Sequence, residues 1–191
     1  MAQTIQILPV TGVGEVIPGD DVAGILLEAL ESMGLQLGDG DIVVITHKIV
    51  SKAEGQIAPA ATEAEYRAAV EAEAAAIIRR RGDLVIAQTK HGFICANAGV
   101  DRSNIDGNRI VLLPERPDRS AATIRSRLEA ATGARIAVII SDTFGRPWRR
   151  GLTDVAIGVS GMAVIDDLRG TADMHGRTLE VSEIAIVDEI A

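Results

Sequence analysis

Cysteine is nearly absent from this chain: Cys95 is alone among 191 residues. One thiol excludes an internal disulfide and any zinc site built on several cysteines, and it points to the reduced cytoplasm as the compartment. Aromatic residues are equally scarce, at 2%, against 47% hydrophobic residues overall, so the core has to be built from Ala, Val, Leu and Ile. Positive charge is in deficit as well. Nineteen Lys and Arg stand against 27 Asp and Glu, a net charge of -8, which lacks the basic surface that nucleic-acid binding needs. No apolar run approaches the ~20 residues that span a bilayer, so no membrane partner is expected. The opening MAQTIQILPV has neither the basic start nor the long apolar stretch of a signal peptide. His47, His91 and His175 fall at no metal-ligand spacing, and no G-x-S-x-G elbow occurs. These exclusions leave a soluble protein of one domain or two small lobes.

The pattern of what is present is α+β, with mixed sheets and packed helices, because strands and helices mix without strict alternation. Thr4 to Val10 reads as a short strand, followed by the turn-rich TGVGEVIPGDD. Asp20 or Asp21 then caps a helix whose apolar face is Val22, Ile25, Leu26, Ala29, Leu30 and Met33, closed by Gly34. Asp41 to Thr46 is a buried strand. An Ala/Glu-rich segment from Glu63 to Arg81 reads as one long helix ending at Gly82, its three arginines complementing the helix dipole. LVIAQT and FICANAGV flank a hairpin turn at His91-Gly92, RIVLLP is a strand, and RSAATIRSRLEAATG is a helix packed through Ala121, Ile124, Leu128 and Ala131. ARIAVIIS is the most hydrophobic strand. The chain stops at Ala191 in what reads as the beginning of a helix, which leads to the expectation of a further C-terminal piece.

Chemistry concentrates where strands end in polar residues. Asp101 sits in a Gly/Ser/Asn loop, and Asp142 and Thr143 end the most hydrophobic strand. A hard cation such as Mg²⁺ or Mn²⁺ takes one or two carboxylates with hydroxyl, water and phosphate oxygens, and these three residues supply that set if the two loops meet. Simple turn and cap roles are the alternative for both acids. Lys48 and Lys52 follow a buried strand, where a lysine either neutralises a phosphate or is merely solvated. The glycines of TGVGE permit close backbone approach to a phosphate, without forming a Walker A or dinucleotide motif. Arg146, Arg149 and Arg150 surround the only tryptophan, Trp148. They suit a polyanionic substrate, and Trp148 suits a flat ring or a subunit contact. Cys95, between apolar residues, reads as core.

In order along the chain, LPVTGVGEVIPGDD, GDIVVITHKIVSKAEG, ICANAGVDRSN, LLPERPDRSAATIR, AVIISDTFGRPWRRG, DVAIGVSGM and GRTLEVSEIAIVDEIA resemble the coenzyme F(420):L-glutamate ligase family, the archaeal F(420)-0:gamma-glutamyl ligase and the N-terminal domain of its bacterial bifunctional counterpart. The resemblance runs from about Ile5 to Ala191 and makes residues 1–191 the ligase domain, one that usually continues further. It implies an enzyme that couples GTP hydrolysis to amide formation between F(420)-0 and L-glutamate. It also implies Mg²⁺ or Mn²⁺, K⁺, and an intertwined homodimer. The family's metal ligands fall on Asp101, Asp142 and Thr143, which thereby become the catalytic candidates. Its nucleotide contacts fall on Thr11, Gly12, Val13, Gly14, His47, Lys48, Lys52 and Asn104. Arg146, Arg149 and Arg150 remain candidates for substrate binding. The family pattern has small hydroxyl residues where this chain has His47 and Lys48. A same-fold ligase for another carboxylate and a non-catalytic nucleotide-binding module are the rival expectations.

Overall fold

The computed structural model describes residues 4–191. Helix α1 spans Val22–Ser32 and starts where Asp21 accepts a hydrogen bond from the amide of Ala23. It buries Val22, Ala23, Leu26, Ala29 and Leu30. Gly34 ends it in the left-handed region, at φ 68°, where a residue without Cβ is unstrained. Strand β1, Ile42–Thr46, runs directly into helix α2, His47–Ala53. Next come strand β2, Ile57–Pro59, and helix α3, Glu63–Glu73, whose Thr62 and Glu65 form a reciprocal capping box.

The long helix expected over Glu63 to Arg81 ends early. Ala74–Arg81 is strand β3, folded back onto strand β4, Leu84–Thr89, with Arg81 opposite Leu84 and Ala74 opposite Thr89. Gly82 and Asp83 make a two-residue turn, with Gly82 at φ 60°. Alanine favours a helix only weakly, and the pairing of Ile77 and its neighbours along a whole partner strand overrides that preference. The arginines therefore do not serve a helix end: Arg80 pairs with Glu71 at 2.6 Å.

Strand β5, Ile94–Ala96, follows a tight turn at His91-Gly92 in which the Thr89 amide donates to the Phe93 carbonyl. After a 3-10 turn at Asn97–Gly99 and the polar loop comes strand β6, Arg109–Val111. Helix α4, Pro117–Thr132, has proline in its first turn and Gly133 at its end, left-handed at φ 76°. Strands β7, Ala137–Gly145, and β8, Leu152–Ser160, form a long hairpin. Two short strands, β9 at Asp166–Asp167 and β10 at Glu183–Ile184, and helix α5, Ile186–Ile190, complete the described chain.

Two hydrophobic cores result. The first packs α1 and α4 on the sheet β1-β7-β8, around Val138, Ile140, Leu128 and Ala121, all four without exposed surface. Gly158 permits this packing: a Cβ there would stand 2.5 Å from the Pro117 carbonyl carbon. The second core gathers Val70 of α3, Val85 and Ala87 of β4, and Ile110 of β6. The fold is α+β, with one parallel pair among the described residues, β1 and β7, beside antiparallel ones.

The strand expected at Thr4 to Val10 is absent. No ladder forms there, and Ile5 and Ile7 are about nine-tenths exposed. Its alternating pattern meets no partner strand, and Pro9 has no amide to donate. Among the described residues, no helix is long and apolar enough to cross a membrane.

Candidate functional site

The parallel register between β1 and β7 creates the site. Thr46 lies opposite Ser141, so the next residues along, His47 after β1 and Asp142 within β7, meet just beyond the pair. His47 is buried, with Nε2 3.3 Å from Asp142 Oδ1 and Nδ1 3.2 Å from the Ser51 hydroxyl. The contact to Asp142 lacks hydrogen-bond geometry and leaves Nε2 without a bonded partner. The carboxylate also accepts from the amide of Thr143, at 2.7 Å.

One residue along α2, Lys48 reaches the other acid. Its ammonium lies 2.7 Å from Asp101 Oδ2 and donates to the Ser103 hydroxyl at 2.6 Å. Asp101 in turn accepts from the Ser103 amide at 2.6 Å and from its hydroxyl at 3.0 Å. Partial burial works against charge on Asp101, but the bonds from Lys48 and Ser103 outweigh it and hold the carboxyl below its ordinary range. An aspartate held low stabilises the fold at every pH above the unfolded value, about 4, and loses that contribution as pH falls through the folded value. Asp101→Asn is therefore expected to unfold more easily than the parent near neutral pH, with the gap narrowing below about pH 4. Denaturation midpoints at the two pH values measure this, and a gap that stays constant would contradict the ion pair.

The glycine loop approaches from the other end of α2. Thr11 directs its amide and hydroxyl at the Met33 sulfur, at 3.4 and 3.7 Å, which rests the loop on the end of α1. Gly12 is left-handed, at φ 83°. Glu15, just after Gly14, pairs with the buried Lys52 at 2.7 Å. Val13 is half-buried and Gly14 is exposed. Lys48 and Lys52 are four residues apart on α2, about 6 Å along its axis. Asn104 takes a left-handed backbone, at φ 56°, in the loop that carries Asp101.

The remaining candidates lie elsewhere. Strand β7 does not stop at Asp142 but stays paired with β8 as far as Gly145 opposite Leu152. Successive side chains in a strand point to opposite faces. Thr143 therefore turns away from Asp142 and donates to Asp154 of β8 at 2.5 Å. The trio Asp101, Asp142 and Thr143 is split: its two acids reach neighbouring residues of α2, while the threonine hydroxyl faces the opposite side. Arg146, Arg149 and Arg150 stand at the hairpin turn, the nearest about 13 Å along the strand from Asp142. Among the described residues, no cluster of three or more His, Cys, Asp or Glu side chains is arranged to hold a metal. Each acid has the chemistry that Mg²⁺ or Mn²⁺ uses, one or two protein carboxylates with the shell completed by water and phosphate.

Sequence reasoning missed Glu15, Ser103 and Asp154. Glu15 was visible as the acid that closes TGVGE, and Asp154 follows from counting back across the hairpin. Cys95 is buried beside Asp142. Burial, with a smaller contribution from the Asp142 charge, pushes its thiol up to about 11, so it is no nucleophile at neutral pH.

Two carboxylates, two lysines and a glycine loop gather around one short helix, and comparison with known proteins places the chain among the ligases. The family model for F(420)-0:gamma-glutamyl ligase matches residues 12–191. A coenzyme F(420):L-glutamate ligase of Methanothermobacter thermautotrophicus is 43% identical, over 98% of this chain and 81% of its own length. One from Methanopyrus kandleri is 41% identical, over 98% and 79%. A third, from Methanocaldococcus jannaschii, is 42% identical over 80% of this chain and 68% of its own. The chain belongs to the F(420)-0:gamma-glutamyl ligase family.

Proposed function

We propose that this chain joins the amine of L-glutamate to the lactyl carboxylate of F(420)-0, with GTP as co-substrate, in coenzyme F(420) biosynthesis. The observation that supports it most directly is the meeting of both acids with consecutive residues of α2, Asp142 with His47 and Asp101 with Lys48. A carboxylate oxygen of F(420)-0 attacks the terminal phosphorus of GTP, and the bond to the GDP oxygen breaks. The resulting acyl phosphate is attacked at carbon by the glutamate amine; phosphate leaves and the nitrogen gives up its proton.

The chain's own groups hold this sequence in place. Lys52 and the backbone amides of Thr11 to Gly14 bind the phosphate tail, and Lys48 moves from Asp101 onto phosphate as the nucleotide enters. His47, bonded to Ser51, lies against Asp142, whose carboxylate is held by the Thr143 amide. Asp101 and Asp142 would hold Mg²⁺ or Mn²⁺, which would supply neutralisation of the charge on the transferring phosphoryl group. Thr143 acts here through its amide, which holds the Asp142 carboxylate, and not through its hydroxyl. K⁺ and the homodimer rest on the family resemblance.

Mass spectrometry of a reaction with F(420)-0, L-glutamate and GTP tests the proposal. The expected product carries one or more added glutamyl residues, and GDP appears in step with it. Unchanged F(420)-0 alongside bound nucleotide would favour a non-catalytic module.

A further inference from the structure

Trp148 is 91% exposed at the turn of the β7–β8 hairpin. Indole buries roughly 150–250 Å² when it is packed, so this chain leaves its largest apolar side chain in water. Around it stand Arg146, Arg149 and Arg150, none of which is ion-paired among the described residues, in a chain of net charge -8. The turn is built rather than loose. The Arg146 guanidinium folds inward and donates to the Arg150 carbonyl, with its Nε buried. Gly151 makes room for it: the backbone there is left-handed, at φ 98°, and a Cβ would lie 2.9 Å from Arg146 Nη2. Arg146 thus closes the turn, while Trp148, Arg149 and Arg150 are all exposed on it.

The same ribbon carries Asp142 at its base, and strand pairing continues unbroken from there to Gly145. The tip is held at a fixed offset of about 10 Å or more from the reacting end. An acid substrate whose carboxylate reacts near Asp142, and which extends along β7, would meet the exposed cations and the indole at the tip. We propose that Trp148 is the stacking platform for a planar conjugated ring of the acid substrate, with Arg149 and Arg150 binding the anionic link between that ring and the reacting carboxylate. This inference rests on the ligation reading above and adds the residues that select the substrate. Stacking on either indole or guanidinium tolerates a planar ring, and guanidinium pairs with an anionic phosphate link.

Trp148 is the only tryptophan, so intrinsic fluorescence reports on it alone. Titrating the whole chain with F(420)-0, without GTP, is expected to quench that emission saturably, beyond the loss seen with free N-acetyltryptophanamide. Trp148→Ala is expected to raise KM for F(420)-0 roughly 10-fold to 100-fold and to leave KM for GTP at the parent value. Trp148→Phe keeps most of the affinity. A parent that ligates F(420)-0 but shows no quenching, or a Trp148→Ala variant with parental KM, would overturn the platform and leave the ligation reading standing. Emission that responds to protein concentration and not to F(420)-0 would overturn it in favour of a subunit contact. A parent that neither ligates nor responds would remove both.

Discussion

Asp142→Asn is expected to lower ligase turnover by on the order of 10²–10³-fold while leaving the fold intact. The substitution keeps shape and keeps an oxygen for the Thr143 amide, so the local backbone bond survives. It removes the negative charge that faces the buried His47 and, in the proposed reaction, one of two anionic ligands for the divalent cation. Loss of one such charge weakens cation binding and stabilisation of the phosphoryl group together. The measurement is turnover against Mg²⁺ or Mn²⁺ concentration, with circular dichroism to establish folding. Parental turnover with an unchanged metal requirement would dispose of the role assigned to this carboxylate.

Leu128→Ala is expected to destabilise the protein by about 2–5 kcal/mol. Leu128 has no exposed surface and lies on the face of α4 that meets the central sheet. The surrounding groups leave little room for collapse, since Ala121, Val138 and Ile140 are equally buried. A typical domain has about 5–15 kcal/mol of stability in all, so one truncation removes a large share of it. Urea unfolding measures the change; a loss below about 1 kcal/mol would mean that α4 does not pack on the sheet as described.

The elements that sequence made legible are those with strong periodicity and a chemical start or stop. Helix α1 has its Asp21 cap and Gly34 end, and α4 has Pro117 and Gly133. Strand β7 announces itself by its branched apolar run. Helix α3 was overextended because Ala, Glu and Arg suit a helix locally, whereas the hairpin through Gly82-Asp83 depends on a partner strand further on. The Thr4 to Val10 pattern suggested a strand, but alternation cannot supply a partner.

In the site, the residue types were readable and the contacts were not. Nothing in the local pattern says that His47 meets Asp142, because that follows from parallel pairing across a distant connection. Thr143 was grouped with Asp142 by adjacency, and adjacency in a strand means opposite faces. Lys48 and Asp101 read in sequence as having separate duties, yet in the fold they satisfy each other.

The pairing of Ile42 with Ala137 joins positions 95 apart, since 137 − 42 = 95. The entire second core, from β2 to β6, is inserted between them. A ribosome adding 5–20 residues each second needs roughly 5–20 s to cover that interval. Throughout it β1 waits with its future neighbour unmade, an apolar ribbon open to any passing edge. Assembly of this protein is thus gated by closure of one very long excursion, and the inserted half has time to condense first.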